Sequence, residues 1–400
     1  MGFFDRFFGP PSQNKFAAMV QDRLRRAGDR RACVYDSSQF RLMFAEDGKN
    51  AGMLNLRNFY AEYLVLDKAQ RAEMWAKVIR TALAHNVAPP EEFEDAKPDL
   101  RPIVRTRSYL EHVRLEVEIS GETFKPVPHM QVGDHLVACL VYDLPASMMY
   151  VTQDQLDQWG ITFYEAMEVA RQNLAEVPYD VAVIGDCLFT PLGDDSYEAA
   201  RLLFPGQVQR MAVSGQPVAM AVNTRKVFVT GSDDIAGLAL LAAMAEEFGG
   251  EPRPLCAVPM RLVDDEWETW MPPEDHPHFA AFKLLKLKYL VGEYADQKAQ
   301  LDRLHEARGI DHFVATFGAN DAPDGAFSYA VWPPVPTLLP EADYLYFVAD
   351  NPEVRQRAAW SRAQAVLGDR MRPQDVFPPR WLVESFPTAD ELTAMHAEPF

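Results

Sequence analysis

Apolar and polar positions alternate along this chain with two periods, and the switches between them outline its elements. Near the start, Phe16, Met19, Val20, Leu24 and Ala27 recur every three or four residues, the spacing that gathers side chains on one face of an α-helix. Short strand-like runs follow at residues 32–35 and 40–44. Asp67 and Gln70 then stand three apart, as in a capping box, ahead of a helical stripe of Trp75, Val78, Ile79, Ala82 and Leu83. Residues 136–142 are a continuous apolar strand, residues 143–147 turn the chain, and residues 148–151 return it as a second strand. Thr152 with Gln155, and Thr162 with Glu165, predict two further capped helices. The first stops at Gly160; the second carries Phe163, Ala166, Met167, Ala170 and Leu174 on its core face.

A strand at 179–185 comes next, and Asp194-Asp195-Ser196 precedes a helix with Ala199, Ala200, Leu202 and Leu203. The hairpin pattern returns at 217–222 and 226–230, and Ser232-Asp233-Asp234 opens an apolar helix ending at Gly249-Gly250. The two hairpins read alike, Val137-Ala138 and Tyr150-Val151-Thr152 against Val218-Ala219 and Phe228-Val229-Thr230. The likeness is either a structural pseudo-repeat or the ordinary recurrence of small and branched residues in strands. Residues 255–263 and 266–270 form a third hairpin, and a long helix runs from about 279 to 308. Strands at 312–317, 327–332 and 344–348, a helix over 354–367 and a proline-rich, aromatic tail complete the chain. Hairpins outnumber single strands alternating with helices. The pattern therefore predicts an α+β fold of antiparallel hairpins flanked by helices, in two to three subdomains. Residues 88–97, rich in proline and acid, read as a linker or an exposed loop. The expected divisions are a basic, aromatic segment 1–31, a helical and strand subdomain 32–97, an α+β core 98–271, and an extension 272–400.

Composition narrows the function. Hydrophobic residues make up 48% and charged residues 24% of the 400, a globular average that excludes disordered, collagenous and coiled-coil classes. The net charge of −19 repels phosphate backbones, which argues against general nucleic-acid binding. The first 31 residues run against that balance, with seven basic and three acidic side chains. There Phe3, Phe4, Phe7 and Phe8 would share one side of a short helix stopped by Pro10-Pro11. So short a helix needs a surface: its own domain, a protein partner, or peripheral contact with an anionic membrane. The longest apolar run, residues 235–245, is far below the ~20 needed to cross a bilayer. The start lacks a secretory leader, and four scattered cysteines suggest reduced thiols, so a cytoplasmic location is expected.

Candidate chemistry is sparse. No phosphate-cradling loop, Gly-x-Gly-x-x-Gly, Gly-x-Ser-x-Gly or His-Glu-x-x-His is present; His305-Glu306 begins the last, but Gly309 replaces its second histidine. Asp186 follows an apolar strand, where a carboxylate can hold a metal or act as a base. Asp194-Asp195, Asp233-Asp234 and Asp264-Asp265 could converge on a cation, yet the first two pairs precede helices, where carboxylates cap free N–H groups. His276 and His278 have the residue types of metal ligands but lack the rest of a zinc set. Cys187 beside Asp186 is a poor nucleophile, because a neighbouring carboxylate raises a thiol pKa. No cofactor is implied.

Pro102-Ile103-Val104-Arg105, Tyr142-Asp143, residues 151–174 with Ala170 and Asn173-Leu174, Tyr197-Glu198-Ala199-Ala200-Arg201, and the hairpin and helix at 218–247 form an ordered set. In order and spacing, over residues 99–270, it resembles the YtpQ family of uncharacterised bacterial proteins, a conserved domain of unknown function. The resemblance implies a bacterial protein and supplies no activity, cofactor or catalytic residue. The segment beyond about residue 310 departs from shorter members and reads as an added element. The expected function is a non-catalytic binding, regulatory or scaffolding role. The alternative is a metal-dependent hydrolase using Asp186 with Asp194 or Asp195.

Overall fold

A computed structural model of the chain describes residues 10–46, 48–83, 89–144, 147–193, 196–322, 325–349 and 355–400. Phe3, Phe4, Phe7, Phe8, Asp194 and Asp195 lie outside the described residues. The fold is α+β, with largely antiparallel sheets and helices packed on them. It divides into two compact units, each built from separated stretches: Met1–Pro102, Leu140–Val177 and Gly250–Pro254 in one, Ile103–Cys139, Pro178–Gly249 and Leu255–Phe400 in the other.

In the first unit the helix Gln13–Arg26 starts where the Ser12 side chain accepts from the Lys15 N–H, and buries Phe16, Val20 and Leu24. These pack with Phe40, Leu42 and Phe44 of an antiparallel three-stranded sheet and with Phe59, Tyr63, Met74 and Val78 from two helices, Arg57–Val65 and Lys68–Leu83. Trp75 stacks on Phe16 at 5.2 Å between ring centres. The Asp67–Gln70 capping box is present: Asp67 Oδ1 accepts from the Gln70 N–H and Gln70 Oε1 from the Asp67 N–H. Most of residues 89–97, within the stretch expected as a linker or exposed loop, is exposed or half-buried, with one ordered turn. Phe93–Ala96 is a helical turn, its Phe93 ring lies 5.8 Å from Trp159, and the Trp159 indole N–H donates to the Pro90 carbonyl. Thr162 and Glu165 form a full capping box, and Gly160 ends the preceding helix at φ 68°, a left-handed turn that glycine adopts without strain.

The second unit carries a six-stranded antiparallel sheet. Its strands lie in the order Glu266–Thr269, Met260–Val263, Pro217–Asn223, Lys226–Gly231, Leu188–Leu192 and Asp180–Ile184. One face, with Leu188, Val218, Met220, Val222 and Phe228, packs against the helix Ile235–Phe248 and against Phe282 and Leu285. These last two begin the 30-residue helix Phe279–Arg308, about 45 Å long at 1.5 Å per residue. Its apolar residues follow no single stripe because three clusters claim different stretches of it. Phe282 and Leu285 meet the six-stranded sheet, Leu287 and Tyr294 the C-terminal core of Phe317, Trp332 and Phe347, and Leu301 and Leu304 the cluster of Leu115, Val314 and Leu382. Two smaller sheets close the unit, each containing one parallel strand pair. The helix expected over 354–367 is split. Arg355–Ala359 is a strand paired with Tyr344–Val348, and helix begins at Trp360. Arg-Gln-Arg-Ala-Ala suits a helix by propensity, but pairing Ala358 with Leu345 buries both in the core.

Candidate functional site

Within the second unit, Lys286, Tyr289 and Glu293 stand at intervals of three and four on the long helix and so share one face. Two other elements deliver groups to that face. The helix Arg107–Ile119, opened by the Thr106 side chain accepting from the Tyr109 N–H, places Ser108 in its first turn. A tight hairpin turn at Gly133, φ 63°, sets His135 just ahead of the strand Leu136–Leu144. The positive φ at Gly133 is what the turn requires of glycine, and a side chain there would also displace the flexible Met260, whose Sδ lies 2.8 Å from the place of a Cβ. The His135 carbonyl accepts from the Arg107 N–H at 2.8 Å, tying hairpin to helix.

The His135 ring meets the Tyr289 ring edge-on at 5.5 Å and that of Phe377 at 5.9 Å, and the Arg107 guanidinium lies 4.4 Å over Phe377. Tyr289 Oη, Glu293 Oε2 and His135 Nδ1 are all out of solvent without a hydrogen bond of good geometry, the first two having only loosely placed neighbours in Ser108, Cys256 and each other. Buried polar atoms are rarely left so, since an unmet one costs about 1–3 kcal/mol. Glu293 also has no cation paired with it among the described residues. Burial pushes its carboxyl up to about 7, Asp296 adds to the rise, and the Ser108 hydroxyl and Tyr289 pull the other way. Burial lowers His135 to about 4, helped by Lys286 and Arg107 and opposed by Asp134. It raises the thiol of Cys256, a buried residue beside Tyr289, to about 12 and holds the Tyr289 phenol well above its ordinary value. Near neutral pH the cluster therefore holds a neutral imidazole, thiol and phenol around one carboxyl that is poised to titrate.

The residues singled out from sequence are placed differently. Asp186 sits at φ 61° beside Gly185 at φ 58°, in the turn joining Asp180–Ile184 to Leu188–Leu192. Asp264 and Asp265, at φ 48° and 67°, are the two turn residues of a hairpin, where aspartate is among the side chains that tolerate positive φ. Asp234 caps the helix Ile235–Phe248 by accepting from the Gly237 N–H at 2.8 Å. The rings of His276 and His278 lie 5.6 Å apart, and the His278 backbone N–H donates to His276 Nδ1. Among the described residues, no three His, Cys, Asp or Glu side chains gather as a metal would require. Burial, and then the carboxylates of Asp234 and Asp186, raise the Cys187 thiol. Among the described residues no helix is long and apolar enough to cross a membrane.

Sequence reading missed Ser108, His135, Tyr289 and Glu293. The available signal was a glutamate two turns from a lysine on a helix with no solvent-only face. Comparison with protein-family models, with curated proteins and with solved structures finds no match to this chain.

Proposed function

We propose that this protein works by binding, in a regulatory or scaffolding role, and that Glu293, Tyr289, Ser108 and His135 form its ligand site. The observation that carries this reading is the set of three buried polar atoms, Tyr289 Oη, Glu293 Oε2 and His135 Nδ1, that make no hydrogen bond of good geometry, although Ser108 and Cys256 stand close to the phenol and Ser108 and Tyr289 close to the carboxyl. Sites that await a ligand leave such atoms open. A buried carboxyl without a cation is complemented by a cationic donor, so the ligand is one bearing a primary ammonium group. The side chains best suited to covalent chemistry favour recognition over reaction, since the thiol of Cys256 and the phenol of Tyr289 are held protonated. The resemblance of residues 99–270 to the YtpQ family implies a bacterial protein and leaves the choice between binding and catalysis open.

The experiment is a melting-temperature series with methylammonium, ethylammonium, propylammonium and butylammonium at pH 8, on wild type, Glu293→Gln and Tyr289→Phe. At least one amine should raise the melting temperature of wild type, less so that of Tyr289→Phe, and leave Glu293→Gln unmoved. Equal shifts in all three proteins, or none in wild type, would remove the site from consideration.

A further inference from the structure

The strand Asp180–Ile184 ends the six-stranded sheet, and among the described residues its outer edge is unpaired. Exposed edges are ordinarily blunted by lysine, proline or a bulge, because their free N–H and C=O groups accept any passing strand. This edge has none of these. Its pairing with Leu188–Leu192 runs in unbroken register from Asp180↔Leu192 to Ile184↔Leu188. Val181 and Val183, on one face, are 42% and 51% exposed, and Leu192 on the neighbouring strand is 49% exposed. Residues 180–192 contain Asp180 and Asp186, both exposed, and no lysine or arginine.

We infer that this edge is a docking site for an extended basic peptide segment that adds a seventh strand to the sheet. The open backbone groups fix the partner's conformation, and a five-residue edge spans about 16 Å. Val181 and Val183 select branched apolar side chains on alternate residues of the partner. Charge selects the rest. Acids flank the valines at both ends and the whole chain carries −19, so the complement has lysine or arginine at its ends, and a second copy of this chain is the wrong partner. The surface is independent of Glu293, and either assignment stands if the other fails.

The test is fluorescence anisotropy of a labelled peptide, acetyl-Lys-Val-Thr-Val-Lys-amide, with the full chain. Wild type should give saturable binding that weakens at least tenfold in 0.5 M salt. Methylating alternate backbone nitrogens of the peptide keeps its charge but blocks strand pairing, and should also weaken binding at least tenfold. Val183→Lys, an exposed substitution that leaves the fold intact, should abolish it. Equal binding of the methylated peptide, equal binding to Val183→Lys, or no binding to wild type overturns the proposal. So does a concentration-dependent dimer of wild type that Val183→Lys dissociates, since it would make a second copy the occupant.

Discussion

Glu293 and His135 belong to one cluster, and burial displaces their proton equilibria in ways that act oppositely on stability. The Glu293 carboxyl rises from 4.5 to about 7. The folded state thus holds its proton more tightly, and the resulting stability, full below 4.5, is lost as the pH rises through 7. At about 1.4 kcal/mol per unit, this amounts to roughly 3 kcal/mol. His135 falls from 6.5 to about 4. The unfolded chain then takes up the proton first, so stability present above 6.5 is lost as the pH falls towards 4. Between about 4.5 and 6.5 the two slopes oppose each other. Wild type should therefore show a shallow profile in urea unfolding across that window. Glu293→Gln should lose stability on acidification and His135→Phe should gain it; parallel profiles for all three would show that the cluster does not titrate in this way. Arg380 presents a different buried group. Wholly enclosed and, among the described residues, without an ion-paired carboxylate, it donates to Gln297 Oε1 at 2.6 Å and to the carbonyls of Ala315 and Leu338 at 2.8 and 3.1 Å. Arg380→Met should cost about 3 kcal/mol by the same measurement, because it removes the guanidinium's bonds to the buried Gln297 and Ala315 oxygens, whereas the Leu338 carbonyl keeps the bond from the Ala315 N–H.

At the scale of elements, the long helix has a correctable weakness. Gly292 is exposed, with open space where a side chain would stand. Gly292→Ala should stabilise the protein by about 0.5–1 kcal/mol, read from the urea midpoint at unchanged slope. The hairpin turn Asp264-Asp265 offers a second test. Both residues have positive φ, so Asp264→Asn with Asp265→Gly should leave stability equal or up to about 1 kcal/mol higher, despite the lost contact of Asp265 with Gln209. A loss of several kcal/mol would mean that the two carboxylates do more than turn the chain. Where period and caps agreed, the elements were legible in sequence: Thr162 with Glu165, Asp234, and Phe279–Arg308 ended by Gly309 at φ 66°. The helix Arg107–Ile119 was not. Its Val-Arg-Leu-Glu-Val-Glu-Ile run alternates at the period of a strand. What makes it helical is the Thr106 cap and ion pairs of Arg114 with Glu111 and Glu118, three and four residues away. Losing that helix hid Ser108, and with it the surroundings of Glu293. The helix Arg57–Val65 and the strand Lys49–Asn55 escaped for a related reason, since their burial is decided by Phe16, Leu42 and their neighbours more than by local pattern.

For the whole molecule, chain order and spatial order diverge. Each compact unit collects three separated stretches, which no local change of composition marks. The candidate site likewise draws on residues 107–108, 133–135, 256 and 286–293, brought together only by folding. A site of this kind is invisible to motif reading, whereas the aspartates conspicuous in sequence occupy turns and helix ends wherever they are described. The most direct test of a binding role for Glu293 is calorimetric titration of the amine that most raises the melting temperature, at pH 6 and pH 8. If only the ionised carboxyl holds the ligand, a group titrating near 7 makes affinity about tenfold tighter at pH 8, with proton release on binding at pH 6. Affinity unchanged between the two pH values, or retained in Glu293→Gln, would contradict the assignment.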